Sequence, residues 1–141
     1  MNTADFLVDT SAYIRLMKSD PVPHEWAEVL DHGLAGVCPI TELEIFYSAR
    51  SPEHREALAD VLRQYYKWVD MPDLVYERAL EVQLILDERG KRRSAGPVDL
   101  LVAATAEWHG MTVLHYDRDF ATVAQVTGQP VRWLAKPGSI D

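Results

Sequence analysis

Apolar residues follow two rhythms along this chain. Short runs at Phe6-Leu7-Val8, around Val37, at Thr112-Val113-Leu114-His115 and at Val131-Arg132-Trp133 have the length and flanking turn residues of buried strands. Between them the period changes to that of helices. Leu58, Val61, Leu62 and Tyr65 recur at offsets of three, four and seven, and Val75, Ala79, Val82 and Leu86 at four, seven and eleven, each set marking one helix face. Leu100 through Ala106 is apolar on nearly every side, so a helix opened by Pro97 and closed by Gly110 is predicted to pack between layers. Further helices are predicted over 11–18, ended by Asp20-Pro21-Val22-Pro23, over 24–31, and over 42–47, where Pro39 ends the second strand and Thr41 caps the helix. The stretch from Asp117 to Val131 receives no element.

Strands alternating with amphipathic helices predict one α/β domain over residues 1–141: three layers, with a mainly parallel sheet covered on both faces. In such a sheet the C-terminal ends of strands and the N-terminal ends of helices share one edge, where ligands usually bind. With 48% hydrophobic and 26% charged residues the composition is that of a globular protein, and no apolar run approaches the length of a membrane span. The first residues lack a basic region followed by an apolar core, so a cytoplasmic location is expected. Cys38 is the single cysteine, which leaves no internal disulfide or cysteine-based zinc cluster and suggests a small buried side chain.

Charge narrows the picture further. A net charge of −8 argues against a protein that grips nucleic acid through a broad basic surface. A phosphate-bearing partner must then be held locally, and divalent cations do this by reversing the field inside an acidic cleft.

Four acids fall at the ligand-binding edge: Asp9 ends the first strand, Glu42 begins the helix after the second, Asp99 lies in the turn after Pro97, and Asp117 follows Thr112–His115. Each alone is explained as a cap, a turn residue or a partner for a helix dipole. Together they need a counterion, because two unit charges about 4 Å apart repel by roughly 4 kcal/mol at an effective dielectric of 20. Carboxylate oxygens suit Mg²⁺ and Mn²⁺. His24, His32, His54, His109 and His115 show no paired spacing for zinc; His115 reads as a strand residue near the site and His109 as a helix-end residue.

The segments "FLVDTSAYI", "ITELE", "GPVDLLVAATA" and "LHYDRDF" together resemble the PIN-domain ribonucleases, specifically the VapC toxins of bacterial toxin–antitoxin pairs. The resemblance spans almost the whole chain. It implies a Mg²⁺- or Mn²⁺-dependent endoribonuclease, a homodimer, restrained by a cognate VapB-type antitoxin. It also implies that Asp9, Glu42, Asp99 and Asp117 form the catalytic acids, with Asp9, Asp99 and Asp117 holding metal and Asp119 competing for the fourth place. Ser11 either adds a hydroxyl to the pocket or caps the first helix.

Such a site would hydrolyse RNA without a side-chain nucleophile, leaving 5′-phosphate and 3′-hydroxyl ends. The run Arg89-Gly90-Lys91-Arg92-Arg93 is either a phosphate contact or a solvated loop. The exposed pair Tyr65-Tyr66 with Trp68 suggests either base stacking or core, and the Leu58–Tyr65 face a dimer or antitoxin contact. Two alternatives remain at this level: an aspartyl phosphatase, against which Ser11 stands where a second acid belongs, and a non-catalytic Mg²⁺-binding partner module.

Overall fold

In the computed structural model, which describes residues 5–18 and 24–140, five short strands form one all-parallel sheet: β1 (Phe6–Val8), β2 (Ala35–Val37), β3 (Lys67–Trp68), β4 (Thr112–His115) and β5 (Val131–Trp133). Their order is β3-β2-β1-β4-β5. The chain therefore builds outward from β1 in one direction and then returns to β1's other side for β4. The gap between β1 and β4 is the topological switch point, the place where a parallel sheet opens a crevice at its C-terminal edge.

Seven helices are present among the described residues: α1 (Thr10–Lys18), α2 (His24–Asp31), α3 (Pro39–Tyr47), α4 (Pro52–Tyr65), α5 (Leu74–Glu88), α6 (Pro97–His109) and α7 (Asp119–Thr127). None is long and apolar enough to cross a membrane.

Register explains why both faces of the sheet need cover. Leu7 pairs with Val113 and Val8 with Leu114. Successive strand residues face opposite sides, so Leu7 and Val113 join one core with Val82 and Leu86 of α5, Ala103 of α6 and Phe120 of α7, while Val8 and Leu114 join another with Leu16 of α1, Trp26 of α2, Ile45 of α3 and Leu62 of α4. Burying each large side chain contributes about 1.5–3 kcal/mol. Trp26 is both packed and bonded: its indole N–H donates to the Leu134 carbonyl at 2.7 Å, tying α2 to the chain after β5.

Several boundaries differ from the sequence reading. Helix α3 begins at Pro39, not after it, with Cys38 as N-cap and Thr41 buried inside the helix. Proline lacks the N–H that a first helical position leaves unpaired, so it opens this helix as Pro97 opens α6. Cys38 is fully buried, as expected. Gly110 ends α6 in the left-handed conformation (φ 70°), which glycine adopts without a Cβ penalty. Helix α7, for which the sequence predicts no element, buries only Phe120 and Val123, too few to mark a period. Tyr66 is buried, not exposed, and Leu62, with the partly buried Leu58 and Tyr65 of α4, packs on the core. The predicted breaker Asp20-Pro21-Val22-Pro23 lies outside the described residues.

Candidate metal centre

The switch-point crevice is where the acids gather. Asp9 leaves β1 with its N–H on the Leu114 carbonyl (2.9 Å), and its own carbonyl accepts from Ala12 and Tyr13 as α1 begins. Its Oδ2 accepts from the Ser11 N–H at 3.0 Å and from the Ser11 hydroxyl at 2.6 Å. The carboxylate is thus the cap of α1 and, at the same time, a buried acid at the sheet edge. Ser11 does not cap; its oxygen accepts from the Tyr116 N–H at 2.9 Å, fastening Asp9 to the segment after β4. Burial raises the Asp9 pKa, and the Ser11 bonds pull in the opposite direction.

Asp99 reaches the same crevice from the first turn of α6, where its Oδ2 accepts weakly from the Gly96 N–H at 3.4 Å. Burial first, and then the charges of Asp9 and Asp117, push its pKa up from 3.8 to about 7. Asp117 and Asp119 arrive from the turn between β4 and α7: Asp117 Oδ1 accepts from the Asp119 N–H at 3.0 Å, and the Asp117 N–H donates to His115 Nδ1 at 3.2 Å. Asp99, Asp117 and Asp119 each offer an oxygen within 4.8 Å of the others. The structure therefore brings in both Asp117 and Asp119. Burial and Asp117 raise the Asp119 pKa, while a hydrogen bond with Asp99 lowers it.

His115 is fully buried, with its ring centroid 5.2 Å from that of Phe120 and 4.9 Å from that of Trp133. Burial drops its pKa to about 4, so the neutral ring accepts the Asp117 amide and holds the turn in place. His109 ends α6 and bonds the Asp70 carbonyl at 2.9 Å, as a structural helix-end residue.

Glu42, expected among these acids, instead lines a separate cleft with Phe46, Leu62, Arg63, Tyr66 and Trp68. The acid that α3 presents to the crevice is Glu44, whose Oε1 accepts from the Thr10 hydroxyl at 2.6 Å and whose charge raises the pKa of neighbouring Asp9. Two helical positions are about 200° apart around the axis. The buried face of α3 carries Thr41 and Ile45, and the two glutamates flank it on opposite sides. Helical phase alone does not choose between them; the choice comes from α1 packing on one flank and β3 on the other.

None of the ion pairs among the described residues includes Asp9, Asp99, Asp117 or Asp119. The charges acting most on Asp99 are themselves aspartates. An all-oxygen, all-acidic set of this kind can hold a hard divalent cation. Just upstream of α6, Lys91, Arg92 and Arg93 are exposed, with Arg92 paired to Asp87 at 2.6 Å.

The PIN domain family model matches residues 6–126. Ribonuclease VapC21 of Mycobacterium tuberculosis is 41% identical over 137 residues, spanning 97% of this chain and 99% of that protein. Ribonuclease VapC51 of the same organism is 39% identical over 137 residues, 96% of this chain and 97% of that one. Among solved structures, DNA-bound VapBC from Salmonella typhimurium matches with a TM-score of 0.77 at 21% identity, covering 94% of this chain and 99% of that chain. VapBC-1 from nontypeable Haemophilus influenzae gives 0.76 at 19% identity, over 93% and 98% respectively, and both likenesses concern the fold.

Proposed function

This chain belongs to the PIN-domain family, among its VapC ribonucleases, and on that premise we propose that it is a Mg²⁺- or Mn²⁺-dependent endoribonuclease toxin restrained by a cognate VapB-type antitoxin. The observation that carries the metal dependence is Asp99. Its pKa near 7, raised first by burial and then by the charges of Asp9 and Asp117, marks a carboxyl whose ionised form a divalent ion at this point would favour. The donors fit the ion: oxygens only, from Asp9, Asp99 and Asp117, with Asp119 in reach of the last two. When bound, the ion supplies charge neutralisation for a scissile phosphate and acidity for nearby water.

The protein's own residues do the rest. Ser11 fixes Asp9, and His115 with the Asp117–Asp119 turn fixes the opposite wall, so the acids meet the substrate already oriented. Glu44, held by Thr10 beside Asp9, accepts the proton of the attacking water. The Ser11 hydroxyl is committed to Asp9 and Tyr116, which supports hydrolysis by water over attack by a side chain.

Lys91, Arg92 and Arg93 lie on the approach to α6 and meet backbone phosphates, offsetting the acidic surface. Self-association belongs to the same reading: Tyr76, Leu80 and Leu84 of α5, with Trp108 of α6, leave an exposed apolar face that supports contact with a second copy. Action on cytoplasmic RNA follows from this assignment.

The test is product chemistry. Metal-depleted protein incubated with structured RNA should be inert, and added Mg²⁺ or Mn²⁺ should release fragments with 5′-phosphate and 3′-hydroxyl ends. Cyclic phosphate ends, or cleavage undiminished by chelator, would refute the proposal.

A further inference from the structure

Glu42, displaced from the acidic centre, occupies a cleft of about 370 Å³ between α3, α4 and the outer strands β2 and β3. The cleft opens at the same sheet edge, since Trp68 ends β3 and Glu42 sits in the first turn of α3, directly after β2. Strands β3 and β1 are two spacings apart, about 10 Å, so a polynucleotide crossing the acids passes this cleft next. Three aromatic rings line it, and two are occupied: Tyr66 is buried, and Phe46 lies under the Arg55 guanidinium at 4.2 Å. Trp68 is 64% exposed. Glu42 lines the same cleft, which sets its carboxylate beside the open ring.

The pairing offers an open stacking surface beside two oxygens that only accept hydrogen bonds. Guanine is the base whose Watson–Crick edge presents two adjacent donors, N1–H and the 2-amino group. Uracil places carbonyls on both sides of its single N–H, and adenine and cytosine set a ring-nitrogen acceptor beside the amino group, so each of these meets the carboxylate with repulsion. We infer that the Glu42–Trp68 cleft is a subsite for one unpaired guanosine of the RNA, stacked on the indole and hydrogen-bonded through its Watson–Crick edge to the carboxylate. Arg63 lines the same wall, ion-paired with Asp60.

This inference rests on the ribonuclease reading, and the experiment separates the two. In full-length protein carrying Asp99→Asn to prevent cleavage, fluorescence anisotropy would compare oligouridylates bearing one central guanosine, inosine or adenosine. Guanosine should bind at least about fivefold tighter than inosine, which lacks the 2-amino group. Adding Glu42→Gln should erase that preference, and Trp68→Ala should weaken all three about fivefold or more while Trp68→Phe retains most affinity. Equal affinity for guanosine and inosine, or a preference surviving Glu42→Gln, overturns the subsite. Wild-type protein that cuts these oligonucleotides with Mg²⁺ but shows no guanosine preference loses the subsite alone; protein that neither binds nor cuts any RNA loses the ribonuclease reading and this inference with it.

Discussion

Asp99→Asn should make the metal-free protein more stable at pH 8 while abolishing RNA cleavage. Asp99 is held at a pKa of about 7 in the folded chain against 3.8 for the ordinary carboxyl. Between those values the folded state binds the proton and the unfolded state does not, so stability falls as pH rises through this window and the full penalty persists above it. The difference from 3.8 to about 7 corresponds to about 4 kcal/mol if fully expressed. The side chain is only partly buried, and solvent screening reduces this to about 1–2 kcal/mol. Asparagine loses the favourable charge at the start of α6, about 0.3–1 kcal/mol. The net gain is therefore about 1 kcal/mol, or roughly 4 °C in Tm for a chain of this size. Circular-dichroism melts in chelator should show that gain at pH 8 and little difference near pH 4, where the folded carboxyl is protonated and the unfolded one is close to its own pKa. With Mn²⁺ at about a hundred times its Kd, wild type should gain about 2.7 kcal/mol and overtake the variant. A variant less stable than wild type at pH 8 in chelator, or a difference independent of pH, would refute the crowded-carboxylate account.

Three further outcomes follow from the geometry. Glu44→Gln should lower kcat by about a hundredfold or more, the scale of a lost proton acceptor; a single-turnover rate near wild type would remove Glu44 from the proton transfer. Ser11→Ala strips the Tyr116 N–H of its acceptor and Asp9 of a donor, so urea denaturation should show a loss of about 1–3 kcal/mol, and an unchanged midpoint would show that the linkage carries no load. Neutralising Lys91, Arg92 and Arg93 together should flatten the slope of log affinity against log salt by about 2 for single-stranded RNA; an unchanged slope would mean the loop does not meet phosphate.

What the sequence made legible was whatever local rules decide. The positions of β1, β4 and β5, the start of α6 at Pro97 and its end at Gly110 follow from short apolar runs, a proline without an N–H and a glycine able to turn left-handed. Asp9, Asp99 and Asp117 could be placed at one edge because parallel topology alone puts them there. Choices made by tertiary packing were hidden. Glu42 and Glu44 flank one buried face equally well, and only the neighbours of α3 separate them. Helix α7 carries two buried side chains on a mostly small-residue segment, and Tyr66 is drawn inward against Tyr13, with ring centroids 5.7 Å apart, by a fold that its immediate neighbours do not announce.

The central claim is that acids from β1, α6 and the β4–α7 turn converge to hold one kind of ion. Crystals grown with Mn²⁺ and measured at its absorption edge test this directly. The expected result is an anomalous peak bounded by Asp99 together with Asp9, Asp117 or Asp119 and abolished by Asp99→Asn; a pocket without a peak at saturating Mn²⁺, or a peak elsewhere on the protein only, would contradict the account.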